Sequence, residues 1–176
     1  MKAKLFAFLG GVALLSSPLS ARAAIGTDAA SCDVGGGSAI LVDVTGLKDR
    51  TGRLKVELYP ATEEDYLKDD RDLIAQGKFF RRVWADMPAS GPVEICIKVP
   101  HPGRYAMFFT HDRDGKNKFN FWVDGGGVPT NQKIGMSKPK LASAVVEVGS
   151  GVTTAHIRAQ YLRSILSGFA PLKEPK

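Results

Sequence analysis

The chain has 176 residues and a net charge of +6, which is 24 Lys and Arg minus 18 Asp and Glu, and 44% of its residues are apolar. This length suits one domain, and the apolar fraction excludes a disordered chain, a collagen-like repeat and a small disulfide-dense scaffold. The sequence holds no run of about eighteen apolar residues, so no transmembrane segment is expected in the mature protein.

Segment 1–23 has the pattern of a secretory signal peptide. Two lysines, Lys2 and Lys4, precede an apolar run over 5–15, and the small-residue triplet Ala21–Ala23 follows. This order predicts cleavage directly after the triplet, near Ala23, and export to the periplasm or the extracellular space.

Removal of this segment changes the charge of the chain. The segment carries three basic residues and no acidic one, so the net charge falls from +6 to +3. So small an excess of positive charge does not favour a nucleic acid as the partner. The expected partner is an envelope protein, a glycan or a small ligand.

Both cysteines of the sequence, Cys32 and Cys96, lie in the mature chain. An exported protein meets an oxidising compartment, where paired cysteines form disulfides. A disulfide between Cys32 and Cys96 is therefore expected.

The period of the apolar residues gives the expected secondary structure. Residues 24–38 are small, polar and rich in glycine, and are expected to form a flexible leader. From residue 39 onward apolar residues recur at every second position, first over 40–44 and then over 54–58. This period is typical of strands with one buried face.

Residues 62–76 depart from this period. Acidic residues follow Thr62, apolar residues recur at helical spacing, and Gly77 follows, which predicts a short helix. Strand patterns return at 79–84, 93–99, 104–110, 144–148 and 155–161. The last two are expected to form a hairpin because a glycine-rich turn joins them.

Together these patterns predict an all-β protein. The expected fold is a single antiparallel β-sandwich of about seven strands over residues 39–163, with one short helix inserted after the second strand. Residues 164–176 contain two prolines and no clear period, and are expected to form a loosely ordered tail.

The most distinctive part of the sequence is a strand that runs into a polar, glycine-rich loop. Residues 103–118 read GRYAMFFTHDRDGKNK, and 124–129 read DGGGVP. Several side chains of this loop carry groups that bind ligands. These candidates are His111, Asp112, Asp114, Asn117 and Asp124.

This segment and an earlier strand pair resemble the bacterial domain-of-unknown-function family 2141. The resemblance covers residues 39–161 and is carried by the strand pair at 42–58, by the P-G-x-Y-A and H-D-x-[ND]-G motifs within 102–115, and by the DGGG stretch at 124–127. It implies an exported β-sandwich of the transthyretin-like or carboxypeptidase-regulatory-like kind. It supplies no catalytic residues.

Three interpretations of the loop are open. Asp112, Asp114 and Asn117 offer oxygen atoms that suit calcium, although Lys116 stands where loops of the family usually have an acidic or amide residue. In the second interpretation, His111 is a general base that Asp112 or Asp114 orients, although neighbouring residues of a strand point to opposite faces of the sheet. In the third, the carboxylates accept backbone N–H groups and stabilise a turn without any ligand.

Two clusters of aromatic and basic residues, at 79–84 and at 116–122, suit stacking on a glycan or a partner protein. Alternatively the rings belong to the core and the cations are solvated.

We therefore expect an exported, non-enzymatic β-sandwich module, an envelope accessory or recognition domain that binds through the loop 111–129. The alternative is a calcium-binding protein or metal-dependent hydrolase centred on His111, Asp112 and Asp114. No cofactor is expected in the first case, and in the second Ca²⁺ is held by Asp112 and Asp114.

Overall fold

The computed structural model describes residues 23–173, so the expected signal peptide lies, apart from its last residue, outside the described residues. Within this range the chain forms ten strands and two short α-helices, which confirms the all-β prediction. The strands are β1 (Ala39–Thr45), β2 (Arg53–Pro60), β3 (Arg81–Asp86), β4 (Val93–Lys98), β5 (Gly103–Asp112), β6 (Gly125–Gly127), β7 (Val145–Val148), β8 (Val152–Arg158), β9 (Gln160–Ser164) and β10 (Gly168–Pro171). The helices are α1 (Asp70–Ala75), which follows β2 as expected, and α2 (Leu141–Ala144).

The strands form two sheets. One has three strands in the order β4-β1-β8, and the other has seven, in the order β10-β9-β6-β5-β2-β3 with β7 also paired to β5. All pairs are antiparallel except β1 with β8, which run parallel. Apolar side chains from both sheets form one buried cluster, so the sheets pack face to face as in a sandwich.

The alternation of apolar residues explains this core. In β1 and β2 every second side chain points between the sheets and is buried, and β5 contributes Met107 and Phe109 to the same layer. A second, smaller cluster lies on the outer face of the seven-stranded sheet, where α1 and α2 cover part of it. Because the helices cover this outer face and the other sheet covers the inner face, β2 and β5 have buried side chains on both faces.

The strand count exceeds the expected seven, in part because the chain changes sheets near Ala159. The segment expected as one strand over 155–161 is divided into β8, in the three-stranded sheet, and β9, in the seven-stranded sheet. For the same reason the hairpin expected between β7 and β8 is wrong, since β7 pairs with β5 and β8 pairs with β1. Alternation shows which side chains face a core, but it does not identify the neighbouring strand.

Strand β6 consists of three glycines and lies between β5 and β9. A Cβ atom at Gly125 would lie 2.4 Å from the ring of Tyr161, and one at Gly127 would lie 2.3 Å from a methyl group of Ile157. At Gly126, on the outer face, it would lie 2.9 Å from the ring of Phe108. The glycines therefore let the backbone of β6 approach the side chains around it.

The leader 24–38 is attached to β3 and β4 at several points. Ile25 exchanges two backbone hydrogen bonds with β4, and the Asp28 carboxylate forms an ion pair with Arg81. The expected disulfide joins Cys32 to Cys96, with Cα atoms 5.9 Å apart. Because side chains alternate along β4, Cys96 points away from the main core and toward the leader.

The tail also differs from the expected loose segment. Residues 168–171 form β10, which pairs with β9, and Phe169 of this strand is buried. Four residues are too few for alternation to be recognised in the sequence. None of the helices within residues 23–173 has the length and apolarity needed to cross a membrane.

Candidate functional site

His111 lies near the end of β5 and points into the core. Its ring is fully buried, with Nε2 2.8 Å from the carbonyl oxygen of Thr51 and Nδ1 2.7 Å from the hydroxyl of Tyr161. A carbonyl oxygen only accepts, so Nε2 carries the proton and Nδ1 accepts from the hydroxyl. Burial lowers the pKa of His111 and raises the pKa of Tyr161 to about 12. His111 is thus a neutral, internally bonded side chain.

Asp112, the next residue, points to the opposite face of the sheet. Its Oδ2 accepts from Nε of Arg53 at 3.0 Å and from the backbone N–H of Asn117 at 3.3 Å. Its Oδ1 is buried and has no hydrogen-bond partner among residues 23–173. His111 and Asp112 are therefore separated by the sheet and do not form the base and carboxylate pair that a hydrolase centred on them requires.

Asp124 organises the far end of the loop. Its two oxygens accept from the backbone N–H groups of Arg113, at 2.8 Å, and of Asn120, at 2.7 Å. The carboxylate therefore ties two separate points of the loop together.

Asp114 completes a group of three carboxylates. It accepts from the side-chain amide of Asn120 at 2.8 Å and from the backbone N–H of Lys116 at 3.1 Å, and the bond from Asn120 lowers the pKa of Asp114. One oxygen each from Asp112, Asp114 and Asp124 lies within 4.8 Å of the others. Of the expected candidates, the structure brings these three together and leaves His111 on the other side.

Basic side chains balance part of this charge. Arg53 pairs with Asp112 and also donates to the side-chain oxygen of Asn117, which is therefore not directed at a ligand. The ammonium group of Lys116 lies 3.5 Å from Asp114. Two cations thus accompany three carboxylates, and the hydrogen bonds within the group match the turn interpretation.

The loop also forms the wall of a pocket of about 410 Å³ on the outer face of the seven-stranded sheet. Four phenylalanine rings line it, and the centroid of Phe169 lies 5.0 Å from that of Phe121 and 5.7 Å from that of Phe119. The fourth ring, Phe108, lies 6.1 Å from Phe119. Leu67, Ile134, Met136 and Pro139 add further apolar lining. Phe119 and Met136 remain partly exposed, so the pocket opens to solvent.

Charged and polar side chains form the floor of the pocket. Nζ of Lys55 lies 3.1 Å from Oε2 of Glu57, and both side chains are almost fully buried. Arg82 donates to the other oxygen of Glu57 at 2.7 Å. Beside them the hydroxyl of Thr110 is buried and has no partner among the described residues. A small set of polar groups within an apolar pocket is typical of ligand sites.

Lys55, Glu57 and Thr110 lie outside the set of site residues expected from the sequence. Each occupies the alternate position of a strand, where alternation indicates a solvent-facing side chain. The one feature of the sequence that could have pointed to these residues is the aromatic segment 116–122, because it supplies rings that cover this face of the sheet. Alternation does not show that such a segment folds back over the sheet.

The fold and the pocket define an all-β domain of two packed sheets with an apolar recess on one outer face. The chain belongs to the DUF2141 family, described as an uncharacterized protein conserved in bacteria, whose profile matches residues 42–156 and thus more than half of the chain. No match was found among curated proteins or among solved structures. The family membership expected from the motifs is thereby confirmed, and it assigns no activity.

The buried His111 predicts a specific pH dependence of stability. Its pKa is lower in the folded chain than in the unfolded chain, so its contribution is present above about pH 6.5 and is lost as the pH falls toward the folded value. A His111→Leu variant loses the two hydrogen bonds and is expected to be less stable by about 1–3 kcal/mol at about pH 8. The difference between the two proteins should narrow toward about pH 5.5, because only the wild type has this titration.

Urea unfolding of both proteins across this pH range measures the difference. A difference that stays constant or widens as the pH falls would contradict a neutral, buried His111.

Proposed function

We propose that this protein is an exported, non-enzymatic module that binds a small, mainly apolar ligand in the pocket walled by Phe119, Phe121 and Phe169. One observation carries the proposal: an aromatic pocket of about 410 Å³ on the outer face of the sheet has a floor of buried polar groups. Pockets of several hundred cubic ångströms with few polar groups are the usual form of small-ligand sites. In this proposal the loop 111–129 takes part through its phenylalanines.

The residues around the pocket support binding without catalysis. The side chains on its floor that could take part in chemistry are Lys55, Glu57 and Thr110, and Glu57 is already occupied by Lys55 and Arg82. The buried His111 faces the opposite side of the sheet. The hydroxyl of Thr110 has no hydrogen-bond partner among the described residues, so no base is in place to activate it as a nucleophile.

Two features support export to the periplasm or beyond, where the module acts as an envelope accessory or recognition domain. Segment 1–23 has the order of charge, apolar run and small residues found in signal peptides. The Cys32–Cys96 disulfide suits an oxidising compartment.

Removal of one pocket wall should weaken ligand binding. The neutral fluorescent probe N-phenyl-1-naphthylamine is expected to bind the wild type, and Phe121→Ala should weaken its affinity about tenfold, which corresponds to about 1.4 kcal/mol. The physical reason is the loss of an aromatic contact with the bound apolar molecule. Fluorescence titration measures both affinities.

Leu166→Ala is the control, because this apolar side chain is 99% exposed and does not line the pocket. Its affinity for the probe should equal that of the wild type. A wild type that binds no probe, or equal losses in both variants, would contradict the proposed pocket.

The proposed export predicts where the mature chain begins. When the full sequence is produced in a bacterium with an oxidising periplasm, mass spectrometry of the periplasmic fraction should find an N-terminus at residue 24. The mass should also be lower by about 2 Da because the disulfide replaces two thiol hydrogens. An Ala23→Leu variant should accumulate as precursor, since a small residue is required there. Uncleaved wild-type protein in the cytosol would contradict export.

Calcium binding is a second candidate function. The observation that favours it is the buried Oδ1 of Asp112, which has no partner among residues 23–173 and belongs to the group that Asp114 and Asp124 complete. Carboxylate oxygens are the preferred ligands of calcium. Lys116 and Arg53 already neutralise part of this charge, which weighs against a cation.

If the carboxylates bind calcium, added Ca²⁺ should stabilise the fold. At a concentration of about 100 times the dissociation constant, the gain in the free energy of unfolding is about 2.7 kcal/mol. Asp114→Asn, which keeps a hydrogen-bond acceptor, should abolish the gain, and Asp72→Asn on the exposed surface of α1 should retain it. A melting temperature that does not respond to Ca²⁺ would leave the carboxylates as elements of a turn.

A further inference from the structure

We propose that the ligand of this pocket is an apolar carboxylic acid whose carboxylate lies against Lys55 and Thr110. This inference rests on the proposed function and adds the chemical class of the ligand. Its apolar body contacts the phenylalanine rings, and its carboxylate contacts the polar floor.

Strand register places the two polar groups side by side. Lys55 of β2 pairs with Thr110 of β5, and Thr110 pairs in turn with Gly126 of β6. Directly opposite residues in neighbouring strands point to the same face. The row therefore contains an ammonium group and a hydroxyl group, and the ring of Phe108 lies over Gly126, where a Cβ atom would be only 2.9 Å away.

The hydroxyl of Thr110 requires a partner. Its side chain is 1% exposed and its oxygen has no hydrogen bond among the described residues. A buried hydroxyl without a partner costs free energy, whereas the same hydroxyl donating to an anionic oxygen stabilises the complex. Thr110 lines the pocket, so a molecule held there can supply the acceptor.

The charge of the lining selects an anion over a cation. Three charged residues line the pocket, namely Lys55, Glu57 and Lys138, so the two lysines outnumber the carboxylate by one. The negative charge of Glu57 is shared between Lys55 and Arg82, and Arg82 also pairs with Asp70. An ammonium group has three donors, so Lys55 can bind Glu57 and a ligand oxygen together.

The same geometry disfavours a cationic ligand. A cation at the floor would approach Lys55 in a buried environment, where repulsion between like charges is less screened than in water. A neutral alcohol would form one hydrogen bond with Thr110 and would gain no charge pairing. A carboxylate has two oxygens and can accept from Thr110 and from Lys55 at once.

Competition against a bound neutral probe tests the head group. Decanoic acid, decanol and decylamine have chains of equal length and differ in charge, and each is titrated against N-phenyl-1-naphthylamine bound to the mature protein. Decanoic acid is expected to displace the probe about tenfold better than decanol, and decylamine should be the weakest competitor.

Two variants test whether Thr110 and Lys55 cause the preference for decanoic acid. Thr110→Val keeps the shape of the side chain and removes a hydroxyl that has no partner, so the variant should fold as well as the wild type. It should bind decanoic acid about tenfold more weakly and the neutral probe equally well. Lys55→Met should show the same pattern with a larger loss, and Lys140→Met, outside the pocket lining, is its matched control.

The outcomes separate the two proposals. If the probe binds but all three competitors are equal, or if Thr110→Val leaves the affinity for decanoic acid unchanged, the head-group proposal is wrong and the pocket remains. If the probe does not bind the wild type, both proposals are wrong. If Lys55→Met does not fold, Thr110→Val still decides the result.

Discussion

The antiparallel pairing of β2 with β5 is the constraint on which the rest of the structure depends. It sets Leu54 opposite His111 on the core side and Lys55 opposite Thr110 on the outer side. Each strand sends successive side chains to opposite faces, so this one register decides which residues can meet. A shift by one residue would place Lys55 opposite His111 on the same face, so either the charged pair would enter the core or the histidine would leave it.

The loop after β5 converts the outer face into a recess. Asp124 holds the backbone of the loop at Arg113 and Asn120, and the rings of Phe119 and Phe121 lie between and beyond these points. The polar and aromatic residues of this one segment therefore contribute in different ways. The polar groups position the segment, and the rings supply apolar surface.

The sequence predicts the fold class well because alternation is strong in the long strands β1, β2 and β5. It also predicts the disulfide, since Cys32 and Cys96 are the only cysteines of the chain. It does not predict β6 and β10, which are too short for a period, or the change of sheet near Ala159. These features depend on contacts between residues distant in sequence, and alternation carries no information about them.

The candidate site follows the same division. The loop and its aspartates are visible in the sequence as a cluster of residue types, and the structure brings Asp112, Asp114 and Asp124 together. The opposite directions of His111 and Asp112 also follow from alternation. The position of the pocket floor does not follow from alternation, because Lys55 and Thr110 have the pattern of solvent-facing residues and only the folded loop covers them. Burial by a distant segment is a tertiary effect.

The three glycines of β6 hold one side of the recess in place, because the strand is packed against side chains on both of its faces and Gly126 lines the recess. Side chains of neighbouring strands fill the space beside each of these glycines, so substitution there would displace a sheet strand. Opposite them, Met136 and Ser137 stand on an exposed segment that forms no part of a strand. Substitutions in this exposed rim would therefore change the shape of the recess and leave its floor in place.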